Sequence, residues 1–149
     1  MKINPYVSWV GIQDPEIQHI HGDTFDTKEG TSYNAYLIQS EKTVLIDTVF
    51  IGKSEEFIQN LEQIIDLGSI DYIVMQHGEI DHSGALPALM ERIPNTPIVC
   101  TEECMHTLKG HYHETYNYHL VRTGNHLDIG NGQALFFIEM KMLHWSAGC

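Results

Sequence analysis

The chain has 149 residues, 20 acidic against 8 basic, for a formal net charge of −12, and 42% of it is apolar. That length suits one domain burying roughly 70% of its unfolded surface, and the composition excludes a disordered chain. The acidic surface excludes non-specific nucleic-acid binding, and no apolar run approaches the roughly 20 residues of a membrane helix.

Met1-Lys2-Ile3-Asn4-Pro5 has no long apolar stretch and is not a secretory signal. The three cysteines, an odd count, read as cytoplasmic thiols and not as a disulfide frame. Tyr6 to Val10 reads as a strand. Tyr33 to Ile38 and Thr43 to Ile46 flank the turn Ser40-Glu41-Lys42, a hairpin signature. Lys53 to Leu67 has helical spacing, with Phe57, Leu61, Ile64 and Ile65 on one stripe, Ser54 as N-cap and Gly68 as C′ residue. Tyr72-Ile73-Val74-Met75 is a continuous apolar run, as in a strand covered on both faces. Ser83 to Arg92 is expected to be helical, with Pro87 early enough to be tolerated. Pro97 to Thr101 is a strand, Glu102 to Lys109 a short helix stopped by Gly110, and Tyr118 to Arg122 a strand. Leu127 to Ile129 and Ala134 to Ile138 form a hairpin around Gly130-Asn131-Gly132. The alternation predicts an α/β fold with a mixed sheet.

The informative segment is Gln76-His77-Gly78-Glu79-Ile80-Asp81-His82. Two imidazoles and two carboxylates fall directly after a buried strand and before a helix. Left empty, such a cluster repels itself and demands solvation; a bound cation resolves that cost. Elsewhere, Cys100 and Cys104 read as buried structural thiols. His106, His111, His113 and His119 read as surface residues, Asp47-Thr48 as a helix cap, and Trp9 and Trp145 as core or pocket-wall aromatics.

The pattern His-x-Glu-x-Asp-His resembles the signature of the metallo-β-lactamase fold, in the form found in the diiron domain of flavodiiron proteins (A-type flavoproteins). Other matching stretches are His21-Gly22, Gly30 to Ile38, Leu45 to Thr48, Asp81 to Ala85, Gly124 to Gly132 and Met142 to Trp145. The resemblance spans residues 3 to 145 and is strongest to the nitric-oxide-reducing flavorubredoxins. It implies an αββα sandwich and a non-haem centre of two iron ions. His77, Glu79 and His144 would hold one iron, Asp81 and His82 would face the second, His21 would stand beside the substrate pocket as a hydrogen-bond donor, and Asp47-Thr48 would lie beneath the metal loop. A carboxylate at Glu79, where zinc hydrolases of the fold carry His, hardens the site and favours iron.

The resemblance further implies an oxidoreductase that takes NO to N2O or O2 to water. Its electrons come from FMN in a head-to-tail homodimer, refilled by a rubredoxin-type or flavin donor, in the cytoplasm. After Trp145 the family continues with a Pro-Asp-Ser-Met-like strand, whereas this chain reads Ser146-Ala147-Gly148-Cys149. Residues 1–149 are therefore expected to be the N-terminal part of the diiron domain, an incomplete sandwich holding the first sheet with its helices and the start of the second. The bridging Asp, the last distal His and the flavodoxin-like FMN domain are expected to be missing. A premature stop, a fragment or half of a two-chain assembly would each account for that. Two other functions fit the same residues: a flavin-free diiron sensor module for O2 or NO, and a zinc hydrolase of the metallo-β-lactamase fold.

Overall fold

The computed structural model describes residues 1–20, 25–143 and 148–149. In chain order the strands are β1 (Val7–Trp9), β2 (Ile12–Asp14), β3 (His19–Ile20), β4 (Phe25–Asp26), β5 (Thr31–Tyr33), β6 (Tyr36–Gln39), β7 (Thr43–Ile46), β8 (Ile70–Val74), β9 (Ile98–Cys100), β10 (Tyr118–Leu120), β11 (His126–Gly130) and β12 (Gln133–Phe136). The α-helices are α1 (Ser54–Glu62), α2 (Ile80–Ser83), α3 (Leu86–Arg92) and α4 (Glu102–Tyr112).

Six strands form one sheet in the order β1-β6-β7-β8-β9-β10. The first three pair antiparallel and the last four run parallel. Each parallel step crosses over through helix: α1 between β7 and β8, α2 and α3 between β8 and β9, α4 between β9 and β10. The alternation of strand side chains sorts the core into two layers. Leu45, Ile73, Met75, Ile98 and Cys100 face the helices and pack with Phe57, Leu61, Leu86, Leu89 and Leu108. Their neighbours Val44, Ile46, Val74 and Val99 face the other way and pack with Leu127, Ile129 and Phe137 of the β11–β12 hairpin and the residue after it. Both faces of β7 to β9 are thus covered, which is why those strands read as unbroken apolar runs. The expected mixed α/β sheet, with the beginning of a second layer, is what forms.

Several local expectations are corrected. Tyr33 to Ile38 is two strands: β5 pairs with β2 in a separate two-stranded sheet, while β6 joins the main one. The helix expected to reach Leu67 ends at Glu62, and Gly68 instead sits in a 3-10 turn over Leu67–Ser69, where Asp66 Oδ1 accepts its N–H at 3.0 Å. Ser54 is no N-cap; it is the first residue of α1 and its hydroxyl donates to the Ile51 carbonyl at 2.7 Å. The segment Ser83 to Arg92 divides into α2 and α3, with Pro87 at the start of α3. Gly110 does not stop α4, which runs to Tyr112 and ends on His113 in the left-handed conformation, φ 56°. Trp9 is half-buried, its indole N–H donating to Asn34 Oδ1 at 2.9 Å; Trp145 lies outside the described residues.

α4 is well anchored at both ends. Thr101 Oγ1 accepts the Cys104 N–H at 3.2 Å, Glu102 and Glu103 occupy the first turn, and Lys109 and His111 the last, each matched to the helix dipole. α1 buries Phe57, Ile58 and Leu61 along one stripe. Phe57 is fully buried against the sheet. Phe57→Ala is expected to lower unfolding free energy by about 3–5 kcal/mol, against no more than about 0.5 kcal/mol for exposed Glu62→Ala, as measured by urea denaturation.

Candidate metal centre

The carboxyl ends of β7, β8 and β9 lie side by side, the usual place for a site in an open α/β sheet. Asp47 leaves β7, Gln76 and His77 follow β8, and Thr101 follows β9. Asp47 N–H bonds the Val74 carbonyl at 2.8 Å, and Met75 N–H bonds the Val99 carbonyl at 2.9 Å, so the three ends are laced together.

Asp47 is buried and adopts a left-handed backbone, φ 56°, a conformation Asp and Asn tolerate better than most residues. Its Oδ1 accepts the Gln76 backbone N–H at 2.7 Å, and its Oδ2 lies 3.2 Å from His82 Nδ1. Thr48 completes the attachment, its N–H and hydroxyl both donating to the His82 carbonyl, at 2.8 and 2.7 Å. Asp47-Thr48 is therefore not a helix cap; it is the floor on which the loop rests. A carboxylate only accepts, so His82 Nδ1 carries the hydrogen and Nε2 holds the lone pair of the neutral ring. That nitrogen lies 3.6 Å from Asp81 Oδ2. The hydrogen bond to Asp47 raises the His82 pKa, working against burial, and the charges of Asp47, Asp81 and Glu79 raise it further. In the metal-free protein this pair stabilises the fold fully at acid pH, and the contribution fades as pH rises through the raised value.

The other face of the loop is held by backbone-directed contacts. Ser83 Oγ lies 2.9 Å from both the Gly78 and Glu79 carbonyls and 2.8 Å from Tyr112 Oη. Gly78 is pressed on α4: a Cβ there would stand 2.8 Å from Thr107 Cβ and Cγ2. His77 stacks on His82 with ring centres 5.2 Å apart and planes 11° from parallel, and its Nδ1 accepts the Glu79 N–H at 3.2 Å. Glu79 stands immediately before α2 and Asp81 lies in its first turn. A cleft of about 220 Å³ opens beside the two imidazoles, lined also by Asp47, Gln76, Met140, Leu143 and Cys149.

The structure thus brings His77, Glu79, Asp81 and His82 to one loop; His21 and His144 lie outside the described residues. Among the described residues no three His, Cys, Asp or Glu side chains converge closely enough to hold a metal ion. The donor set nevertheless suits a hard-to-borderline cation such as iron. His82 is pre-set by Asp47 to offer Nε2, the carboxylate–histidine arrangement typical of metal ligands. His77 must turn, because the Glu79 N–H occupies its Nδ1. Asp47-Thr48 lies beneath the loop, where the resemblance puts it; Ser83 and Tyr112 were not visible as supports in the sequence.

The thiols lie next door. Cys100 and Cys104 are buried and free, as expected. Its hydrogen bond with Cys100, then burial, pushes the Cys104 thiol far up, and burial pushes Cys149 up to about 11, so none of this favours a thiolate. His106, His111, His113 and His119 are exposed.

A family model described as ODP family beta lactamase matches residues 31–149. The chain belongs to this β-lactamase-like family, and the fold expected from the His-x-Glu-x-Asp-His loop is the one observed. Among curated proteins it is similar to the anaerobic nitric oxide reductase flavorubredoxins of Aliivibrio fischeri, 59% identical over 97% of this chain and 29% of that protein, and Vibrio vulnificus, 56% identical over 93% of this chain and 28% of that protein. Among solved structures it resembles the flavodiiron protein of Giardia intestinalis (TM-score 0.92, 35% identity, 99% of this chain and 36% of that one). The rubredoxin oxygen:oxidoreductase of Desulfovibrio gigas gives the same TM-score at 36% identity, covering 99% of this chain and 37% of that one. The chain therefore spans about three-tenths of the length of the curated relatives it matches. No helix among the described residues is long and apolar enough to cross a membrane.

Asp47→Ala removes the acceptor for the Gln76 N–H and the partner of His82, and it also places Ala in a left-handed backbone that it disfavours. It is expected to cost about 1–3 kcal/mol for the stranded groups. Asp47→Asn, which tolerates that backbone and retains one acceptor oxygen, should cost less. Urea unfolding of the two variants, with NMR titration of His82 to see its pKa fall in both, checks the assignment.

Proposed function

We propose that this chain supplies the iron-binding part of a flavodiiron-type reductase of nitric oxide or dioxygen. The observation that carries the reading is the loop His77–His82, which sets two imidazoles and two carboxylates at the carboxyl edge of the parallel strands. The fold around it superposes on flavodiiron proteins with a TM-score of 0.92. Residues 1–149 are read as part of a diiron domain. His77, Glu79 and His144 would hold one iron, Asp81 and His82 would face a second, and His21 would donate a hydrogen bond near the substrate.

The two irons, when bound, supply the electrons and the open positions at which the gas is reduced. The chain's own residues do the rest. Asp47 holds His82 in the tautomer that leaves Nε2 free. Glu79 and Asp81 balance the cationic charge with two carboxylates, which lowers the cost of holding it beside buried strands. Met140 and Leu143 line the cleft beside the imidazoles. Electrons would arrive from FMN in a full-length, head-to-tail homodimer of the family type, or from a rubredoxin-type or flavin donor, in the cytoplasm.

Anaerobic titration with ferrous salt followed by metal analysis tests the reading. Iron uptake by the chain is expected. It should weaken in Glu79→Ala by more than the roughly tenfold that loss of an outer supporting contact costs. Absence of iron uptake, or selective zinc binding with zinc-dependent ester hydrolysis, would overturn it.

A further inference from the structure

The hydrogen-bond inventory around Ser83 has one solution. Its hydroxyl owns a single hydrogen, and two carbonyl oxygens, of Gly78 and Glu79, compete for it at 2.9 Å each. The Tyr112 hydroxyl at 2.8 Å must therefore donate to Ser83 Oγ and not receive from it. Burial, the largest influence, raises the Tyr112 pKa and keeps that proton in place. Ser83 is wholly buried, so water does not substitute for the tyrosine. Tyr112 occupies the last turn of α4, a helix of 11 residues capped by Thr101 at one end and closed by left-handed His113 at the other. The same helix presses Thr107 on Gly78, where no side chain fits without displacement.

We infer that Tyr112 is a positioning residue for the metal loop, acting through Ser83 to fix the Gly78 carbonyl and hence the backbone between His77 and Glu79. The inference rests on the metal reading above. The Glu79 carbonyl is held by the His82 and Ser83 N–H groups at 3.0 and 2.8 Å, so the Gly78 carbonyl is the one that the serine and tyrosine hydroxyls tie down. A loop without this tie would also have to order its backbone when a cation arrives, and that ordering would weaken binding.

Tyr112→Phe keeps the ring packing and removes only the oxygen, and Ser83→Ala removes the relay itself. Ferrous iron and, as a spectroscopic probe, cobalt(II) are titrated anaerobically into the wild-type chain, both single variants and the double variant. Melting temperature and backbone amide exchange are followed alongside. Tyr112→Phe is expected to weaken metal binding about tenfold, shift the cobalt(II) visible bands and speed amide exchange across residues 77–83, with the melting temperature moved by no more than about 3 °C. Added to Ser83→Ala it should weaken binding no further, because the tyrosine acts only through the serine. Unchanged affinity and spectrum in Tyr112→Phe, or additive losses in the double variant, would overturn the positioning role alone. Failure of the wild-type chain to take up either metal would overturn the metal reading and the positioning role with it.

Discussion

Asp47 makes the contact on which the rest of the site depends. Its carboxylate spans from the end of β7 to the end of β8, taking the Gln76 N–H on one oxygen and facing His82 Nδ1 with the other. A buried carboxylate is expensive unless its oxygens are satisfied. Here the strand ends and the imidazole satisfy it together, so the loop cannot lift away without stranding a charge. The left-handed turn at Asp47 aims the side chain back across the sheet edge, and Thr48 then ties the His82 carbonyl from the same short segment. A hydrogen-bonded floor of this kind also decides which ring nitrogen is free, and so converts a stability contact into a chemical one.

The two faces of the sheet contribute differently. The helical face carries the larger core, including Phe57, Leu61, Leu86, Leu89 and Leu108, and holds α4 and α1 firmly against β7 to β9. An exposed pair, Arg92 with Glu55 at 2.8 Å, adds little to the α1–α3 contact beyond that burial. The hairpin face is thinner, built on Val44, Ile46, Val74 and Val99 under Leu127, Ile129 and Phe137. Along it Phe136, Ile138, Met142 and Leu143 stand largely exposed. The loop His77–His82 sits where these unequal layers meet, with rigid helix behind it and apolar side chains in front.

Much of this could be read from residue order alone, because strand alternation and ligand clustering are local. Val44-Leu45-Ile46, Ile73-Val74-Met75 and Ile98-Val99-Cys100 announce two-sided burial within three residues each, and His77-x-Glu79-x-Asp81-His82 gathers four candidate ligands within six. What escaped was either weakly coded or long-range. β2, β3 and β4 are only two or three residues long, too short for a period to show. Gly110 was expected to end α4, yet nothing lies near its Cβ position and the helix passes through it at the modest cost of one exposed glycine. Asp47 and His82 are 35 residues apart, and Ser83 and Tyr112 are 29 apart. Only the parallel register of β7, β8 and β9 brings these pairs together, and register is a property of the folded sheet.

The supports of the loop share a chemical logic. Thr48 and Ser83 spend their hydroxyl hydrogens on backbone carbonyls, and Tyr112 reaches the loop only through Ser83, so these contacts shape the chain without occupying the imidazole nitrogens or carboxylate oxygens that a cation needs. Asp47 is the exception, and it takes the one nitrogen of His82 whose loss leaves the other free. A site that must exchange a cation or its oxidation state gains from this separation. Its frame stays hydrogen-bonded whatever the ligands do, and the cost of reorganisation falls on side-chain rotation, as at His77, and not on the sheet edge itself.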